Sequence, residues 1–247
     1  MTSSLITQDH IDSYQRDGVV LIKGLFKDHI DQIRAGIERN MAEPGEYAAE
    51  NLKEGEGGRF FDDYCNWQRI PEFVEVVNSS SVAEAAADLM QSQTVQMFHD
   101  HVLVKEPGTN KATPWHQDGP YYFVEGKQTV SFWSPMDPVT DATLRCVAGS
   151  HLWEKPVLPT RWLSEQNFYA DSDDTCPSLI RTQRVCRSVS GRWSRETRSR
   201  STTTSCMAHA ATPPISDAAH SPCVCWAMMP ATSNARAAHH LHFRVMT

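Results

Sequence analysis

The sequence lacks any apolar run long enough to cross a membrane, and its first residues, 1–5, lack the basic and apolar regions of a signal peptide. Its seven cysteines are an odd number, which without a secretory signal argues against a disulfide framework. Basic residues are outnumbered, 23 against 30 acidic ones, and the net charge of −7 argues against a nucleic-acid partner. We therefore expect a cytoplasmic protein of one main domain that acts without nucleic acid or membrane.

The last third of the chain has a different composition from the rest. Residues 1–174 carry a net charge of −14, whereas residues 175–247 carry +7 and contain no lysine and only two acidic residues. Five of the seven cysteines also fall after residue 174. This tail has no clear hydrophobic period. We predict a folded but incomplete domain over 1–174 and an aberrant, disordered tail over 175–247.

One short segment carries metal-binding chemistry. His116 and Asp118 stand two residues apart, directly before the turn signal Gly119-Pro120. On an extended segment, side chains at i and i+2 point the same way, so an imidazole and a carboxylate converge. They would supply two of the three ligands in the 2-His-1-carboxylate set that holds non-haem Fe(II). The alternative is a salt-linked surface turn.

The same His-x-Asp spacing occurs at His10/Asp12 and at His29/Asp31. Both lie in segments with helical periodicity, where positions i and i+2 diverge by about 200°. We expect neither pair to share a metal ion.

Hydrophobic periodicity predicts helices early in the chain and strands later. The expected helices are 7–16, 27–41, 70–78 and 81–90, the last with a capping box of Ser81 and Glu84. The expected strands are 19–22, 59–61, 94–105, 128–133 and 142–147. This order predicts a mainly β fold with N-terminal helices (α+β), a jelly roll or barrel.

Several ordered motifs resemble the phytanoyl-CoA dioxygenase family of Fe(II)/2-oxoglutarate-dependent oxygenases. They are Met-Phe-His-Asp-His-Val-Leu-Val-Lys-Glu-Pro-Gly, Pro-Trp-His-Gln-Asp, Val-Ser-Phe-Trp and Leu-Arg-Cys-Val-Ala-Gly-Ser-His, between residues 97 and 151. The resemblance covers roughly residues 7–170. It implies a double-stranded β-helix (cupin-like jelly roll), with Fe(II), 2-oxoglutarate and O2 used to hydroxylate a small organic substrate.

The resemblance also implies roles for individual residues. His116 and Asp118 would be the catalytic iron ligands, and His101, Gln117 and Trp133 would line the 2-oxoglutarate pocket. Each of the three has a structural alternative: a strand residue facing a polar interior for His101, a turn contact for Gln117, and plain core for Trp133.

The motifs that should follow are missing. The resemblance implies a distal histidine as third ligand and, about ten residues later, an arginine that pairs with the far carboxylate of 2-oxoglutarate. Neither is recognisable after Asp174. The tail does contain histidines, but none stands in a strand-like context followed by such an arginine: His209, His220, His239, His240 and His242.

A shifted reading frame would explain the loss. Codons built from the third base of one codon and the first two bases of the next are constrained by the printed residues. Cys206-Met207-Ala208 then gives only His-Gly or Tyr-Gly, and Trp226-Ala227 gives Gly. One permitted reading contains Glu-Pro-Gly-Asp, His-Gly and Arg-Arg in that order, the second arginine eleven residues after the histidine. We hypothesise a frameshift near Asp174–Cys176, in the gene or in its sequencing, which would leave this chain impaired.

Two other interpretations stay open. His99, His101 and Glu106 reproduce a His-x-His-x4-Glu metal pattern of cupin-type proteins, although the usual flanking glycines are absent. The chain could also be a non-catalytic remnant of the oxygenase fold, for which the broken tail is the argument.

Overall fold

Four helices occupy the N-terminal part of the described structure. The computed structural model describes residues 5–109, 116–122, 126, 128–137, 144–157, 161, 167, 188–190, 203–207 and 222–229. Within these ranges the helices are α1 (Gln8–Asp17), α2 (Ile30–Ala42), α3 (Pro71–Ser79) and α4 (Val82–Met90). Each lies where periodicity predicts it, and none is long and apolar enough to cross a membrane.

The helix ends differ from expectation in one detail. The predicted capping box at Ser81 is wrong, because the Ser81 side chain makes no capping hydrogen bond. A capping box is instead present at the start of α1, where the Thr7 hydroxyl accepts from the His10 N–H and the Thr7 N–H donates to His10 Nδ1. Gly18, with φ of 73°, ends α1 in the left-handed conformation that glycine adopts without strain.

The strands form one large and one small antiparallel sheet. The large sheet has seven strands in the order β1-β8-β5-β9-β4-β3-β2, and the small one pairs β6 with β7. The large sheet is open. The strands are β1 (Val19–Lys23), β2 (Ala49–Glu50), β3 (Phe60–Tyr64), β4 (Gln96–Lys105), β5 (Val130–Pro135), β6 (Arg145–Val147), β7 (Ser188–Ser190), β8 (Thr203–Met207) and β9 (Pro222–Met229).

Alternation along the strands separates the two faces of the large sheet. Phe132 lies in the main core with the helices, whereas its neighbour Trp133 belongs to a smaller cluster with Val19 and Cys146. Because successive strand residues point to opposite faces, one face of the sheet is committed to the helices. The other face, which carries Trp133, is available to form a site.

Three segments of the tail are strands, and in these the structure differs from the prediction of a disordered tail. β8 lies between β1 and β5, and β9 lies between β5 and β4. Without them these strands would expose unpaired N–H and C=O groups, which favours any apolar segment able to pair there. Val-Cys-Trp-Ala-Met-Met within β9 is such a segment. The other tail residues lie outside the described part of the chain.

The fit of β9 is imperfect at one residue. The Trp226 side chain is fully buried against Phe26 and Phe73, but its indole N–H has no hydrogen-bond partner among the described residues. A buried donor without a partner costs roughly 1–3 kcal/mol.

A buried carboxyl on β4 makes folding stability depend on pH. Asp100 Oδ1 accepts from the backbone N–H groups of Asn66 (2.9 Å) and Trp67 (3.0 Å). Burial is the largest effect on this group and raises its pKa from 3.8 to about 6, against the lowering effect of these hydrogen bonds. Since the folded pKa lies above the unfolded value, the stabilisation is complete below pH 3.8 and is lost as pH rises through about 6.

We therefore expect Asp100→Asn to remove part of the pH dependence. Between pH 4 and pH 7 the wild-type chain should lose about 3 kcal/mol of unfolding free energy relative to this variant, which cannot ionise at position 100. Urea unfolding at closely spaced pH values measures the difference. Parallel stability profiles for the two proteins would contradict it.

Candidate active site

His116 and Asp118 converge, as alternation on an extended segment predicts. His116 Nε2 lies 3.3 Å from Asp118 Oδ1, and the two side chains are 12% and 20% exposed. Asp118 also begins a 3-10 turn at Gly119–Tyr121, in which the Tyr121 N–H donates to the Asp118 carbonyl at 2.9 Å. The turn thus fixes the carboxylate beside the imidazole in a mostly buried position.

The other two His-x-Asp pairs are engaged elsewhere. His10 belongs to the capping box of α1. His29 Nε2 lies 3.1 Å from the Ser79 hydroxyl, and the Asp31 side chain is fully exposed. Neither pair forms a shared site, as expected for helical segments.

Aromatic rings connect the His116 segment to the open face of the sheet. The Tyr121 ring stands edge-on to His116, with centroids 5.6 Å apart. The Tyr122 ring packs against His99 at 5.4 Å, and its hydroxyl lies 3.2 Å from the Ser131 hydroxyl on β5. Trp115 and Phe123, the other aromatic residues of this segment, lie outside the described residues.

His99 is a neutral member of this environment. Burial is the main cause that lowers its pKa to about 3; neighbouring His101 lowers it further, while Asp118 raises it. The effect of Asp118 places His99 within electrostatic reach of the His116–Asp118 pair. At neutral pH the His99 imidazole is therefore uncharged.

His101 and Trp133 occupy one row of the site-forming face. His101 pairs with Cys225 of β9, and Cys225 pairs with Trp133 of β5. His101 Nε2 also lies 2.9 Å from Asp62 Oδ2 on β3. Paired residues in antiparallel strands share a face, so the ring of His101 and the indole of Trp133 lie on the same side of the sheet.

The Trp133 indole is buried, with 4% exposure, and its N–H has no hydrogen-bond partner in the described part of the chain. Buried donors are nearly always paired, with protein or with another molecule. A bound polar ligand would satisfy this one.

Gln117 has a structural task that its position did not reveal. Its Nε2 donates to the Ser150 carbonyl at 2.9 Å, and its Oε1 accepts from the Val157 N–H at 2.8 Å. Both ends of the amide thus tie the segment between the two candidate ligands to residues 150–157.

Substitution of Gln117 should cost folding stability. In Gln117→Leu both buried backbone groups lose their partner, and we expect the unfolding free energy to fall by about 2–4 kcal/mol. The matched control is Gln8→Leu, whose amide bonds Asp12 on the exposed surface of α1 and whose loss should cost at most about 0.5 kcal/mol. Urea unfolding of both variants checks this; equal effects would show that the contacts of Gln117 contribute nothing.

The cupin-type pattern does not assemble. The rings of His99 and His101 lie 5.9 Å apart, but Glu106 is exposed beyond the end of β4. Across the described residues, no group of three or more His, Cys, Asp or Glu side chains could hold a metal ion. The tail histidines considered as third ligand lie outside those residues.

Asp62 is the site residue that the sequence interpretation missed. Strand alternation in Phe60–Tyr64 was the available signal, because it places Asp62 and Tyr64 on one face. The partner of Asp62 could not be read from β3 alone, since His101 follows 39 residues later.

Comparison with known proteins agrees with this architecture. A family model described as phytanoyl-CoA dioxygenase (PhyH) matches residues 14–203. No curated protein matches the chain. Solved structures of similar fold include the epimerase SnoN in complex with Fe3+, alpha ketoglutarate and nogalamycin RO, with 16% identity and a TM-score of 0.66 over 91% of this chain and 84% of SnoN.

Two further structures are similar. AviO1 from Streptomyces viridochromogenes Tue57 has 18% identity and a TM-score of 0.65 over 94% of this chain and 98% of its own. EctD from S. alaskensis with bound Fe has 12% identity and a TM-score of 0.63 over 93% and 79%. These identities show the fold alone. The predicted fold class, helices with an antiparallel jelly-roll sheet, is confirmed.

Proposed function

The chain belongs to the phytanoyl-CoA dioxygenase family, and from this premise we propose that it is an Fe(II)/2-oxoglutarate-dependent dioxygenase by descent. Its reaction would be the hydroxylation of a small organic substrate. The observation that carries the proposal is the convergence of His116 and Asp118 at 3.3 Å in a mostly buried position.

The pair fits ferrous iron in donor type and arrangement. One imidazole nitrogen and one carboxylate oxygen on the same side of a short segment are two members of the facial ligand set that leaves open positions on non-haem iron. When bound, the iron with 2-oxoglutarate and O2 would supply the oxidising chemistry, and the protein would place the substrate and exclude water.

The cosubstrate pocket is proposed on the same face. Trp133 would donate its unpaired indole N–H to 2-oxoglutarate, and His101 would contact the cosubstrate from β4. Gln117 would adjoin the pocket between the two ligands, where its bonds to residues 150–157 hold both ligands in place. SnoN, a similar structure, contains Fe3+ and alpha ketoglutarate, which supports this cofactor pair.

The substrate is proposed to be a small molecule. Tyr121 and Tyr122 lie beside His116 and His99, where they would form part of an apolar wall for it. The carbocyclase SnoK of nogalamycin biosynthesis, with 16% identity and a TM-score of 0.64, is another structure of this fold and supports a small-molecule substrate.

We further propose that this chain is impaired, because its tail is read in a shifted frame. In the shifted reading the histidine falls at Cys206–Met207, the end of β8. Met207 pairs with Ser131, whose hydroxyl contacts Tyr122 beside His99. The distal histidine would thus enter the structure on the correct face, close to the His116 segment.

The buried indole on β9 also supports a shifted frame. Codons spanning Cys225 and Trp226 give only leucine in that frame, since both cysteine codons followed by the tryptophan codon yield a leucine codon. Leucine has no polar atom to leave unpaired, whereas the Trp226 N–H is buried without a partner in the described structure.

The test is the activity of the purified chain as printed. We expect no release of succinate that depends on Fe(II) and 2-oxoglutarate, and a DNA read across codons 174–176 that departs from the printed frame. Succinate release at the rate of an intact relative would overturn the impairment. A family member that binds neither Fe(II) nor 2-oxoglutarate even in the shifted frame would be a non-catalytic remnant.

A further inference from the structure

A carboxylate on β3 contacts the histidine that faces the proposed cosubstrate pocket. In the antiparallel pairing of β3 with β4, Tyr64 lies opposite His101 and Asp62 lies opposite Leu103. Asp62 Oδ2 is 2.9 Å from His101 Nε2. Both side chains are largely buried, with 11% and 19% exposure, so water competes little for this contact.

The second oxygen of Asp62 is also held. Asn51 Nδ2 donates to Asp62 Oδ1 at 2.5 Å, and Asn51 is itself fixed by its backbone N–H, which donates to the Phe60 carbonyl at 2.8 Å. Asn51 is 8% exposed. With both oxygens occupied by protein donors, the carboxylate has one orientation and offers Oδ2 to His101.

This contact decides which ring atom of His101 carries a proton. A carboxylate oxygen only accepts, so Nε2 must donate and Nδ1 is the atom left for another partner. The ring is also confined by Tyr64, edge-on at 5.6 Å, and by His99 at 5.9 Å. His101 and Trp133 stand in one row with a single strand between them, about 10 Å apart at two strand spacings.

We propose that Asp62 is a positioning residue that fixes His101 with Nε2 protonated and thereby offers Nδ1 to 2-oxoglutarate. The inference rests on the proposed function, because it takes the cosubstrate pocket to lie between His101 and Trp133. A ring protonated on both nitrogens donates through Nε2 to Asp62 and through Nδ1 to a carboxylate of the cosubstrate. Asp62 then balances its charge.

The test uses the full chain with 15N-labelled histidine. Exchange of the His101 Nε2 proton with water is measured by NMR in the wild type, Asp62→Asn and Asp62→Leu, and His101→Gln identifies the signal by removing it. We expect exchange at least about tenfold faster in Asp62→Leu, because loss of such a partner typically changes ligand properties by about 10–100-fold. Asp62→Asn should give an intermediate rate, since its amide oxygen still accepts.

Asp31→Asn is the matched control, because Asp31 is fully exposed on α2 and far from β4 in sequence. It should leave the exchange rate unchanged. Unchanged exchange in Asp62→Asn and Asp62→Leu would overturn the proposal; if Asp62→Leu does not fold, the isosteric Asp62→Asn decides alone.

A second readout separates this inference from the proposed function. With 2-oxoglutarate as probe, the His101 Nδ1 resonance should shift in the wild type, and the concentration needed should rise about tenfold in Asp62→Asn. If Asp62 controls the Nε2 proton but 2-oxoglutarate shifts no His101 resonance in any variant, the positioning contact is supported and the proposed cosubstrate pocket is wrong.

Discussion

A chain translated in the shifted frame after about residue 174, called the frame-restored chain below, should release succinate from 2-oxoglutarate at least about a hundredfold faster than the printed chain. The printed chain offers His116 and Asp118 for iron, but no third ligand joins them within the described residues. The shifted reading supplies a histidine at the end of β8 and an arginine eleven residues later.

The magnitude follows from what each lost group would contribute. A missing metal ligand weakens iron binding, and a missing guanidinium leaves the far carboxylate of 2-oxoglutarate without its bidentate partner. Removal of one preorganised charged donor from an active site commonly costs about a hundredfold or more in rate. Two such losses together justify a hundredfold as a lower limit.

The measurement compares both proteins under the same Fe(II), 2-oxoglutarate and O2 concentrations, with a screen of small molecules for those that stimulate succinate release. The frame-restored chain without added iron is the control. Equal rates in the printed and frame-restored chains would show that the tail does not complete the site.

Substitution of a proposed iron ligand should have the second large effect. In the frame-restored chain, His116→Ala should weaken Fe(II) binding by at least about a hundredfold, beyond the effect of losing an outer partner of a ligand. His99→Ala should change it by no more than a few fold, because the neutral His99 ring packs against Tyr122 and belongs to no assembled group of ligands in the described structure.

Calorimetric titration with Fe(II) in the absence of O2 measures both variants. The pair also separates the oxygenase interpretation from the cupin-type one, in which His99 and not His116 would hold the metal. A large loss in His99→Ala with retention in His116→Ala would reverse the assignment.

Local patterns in the sequence predict what depends on local geometry. The four helices lie at their predicted positions because 3.6-residue periodicity is recorded within each segment. The convergence of His116 and Asp118 likewise needs only an extended segment with side chains alternating. Their assignment as iron ligands stays a prediction.

Contacts between distant segments could not be predicted in this way. Gln117 is bound by Ser150 and Val157, 33 and 40 residues later, and Asp62 by a histidine on another strand. Such partners depend on strand register and loop path, which a single sequence does not specify. The Gln117 motif position gave its neighbourhood but not its hydrogen bonds.

The tail shows a different limit. Its composition predicts disorder, yet β8 and β9 pair with β1, β5 and β4. Strand pairing satisfies backbone groups whatever the side chains are, so sheet edges can accept a segment whose composition is unusual. The unpaired Trp226 N–H is the local cost of that substitution of sequence.

The most direct test of the central claim is an anaerobic titration of the frame-restored chain with Fe(II) in the presence of 2-oxoglutarate, followed by the visible charge-transfer absorption of the iron chelate. The account predicts saturation at one iron per chain in the wild type and no band in Asp118→Ala. A band of equal intensity in both proteins would show that His116 and Asp118 do not hold the metal, and would contradict the account.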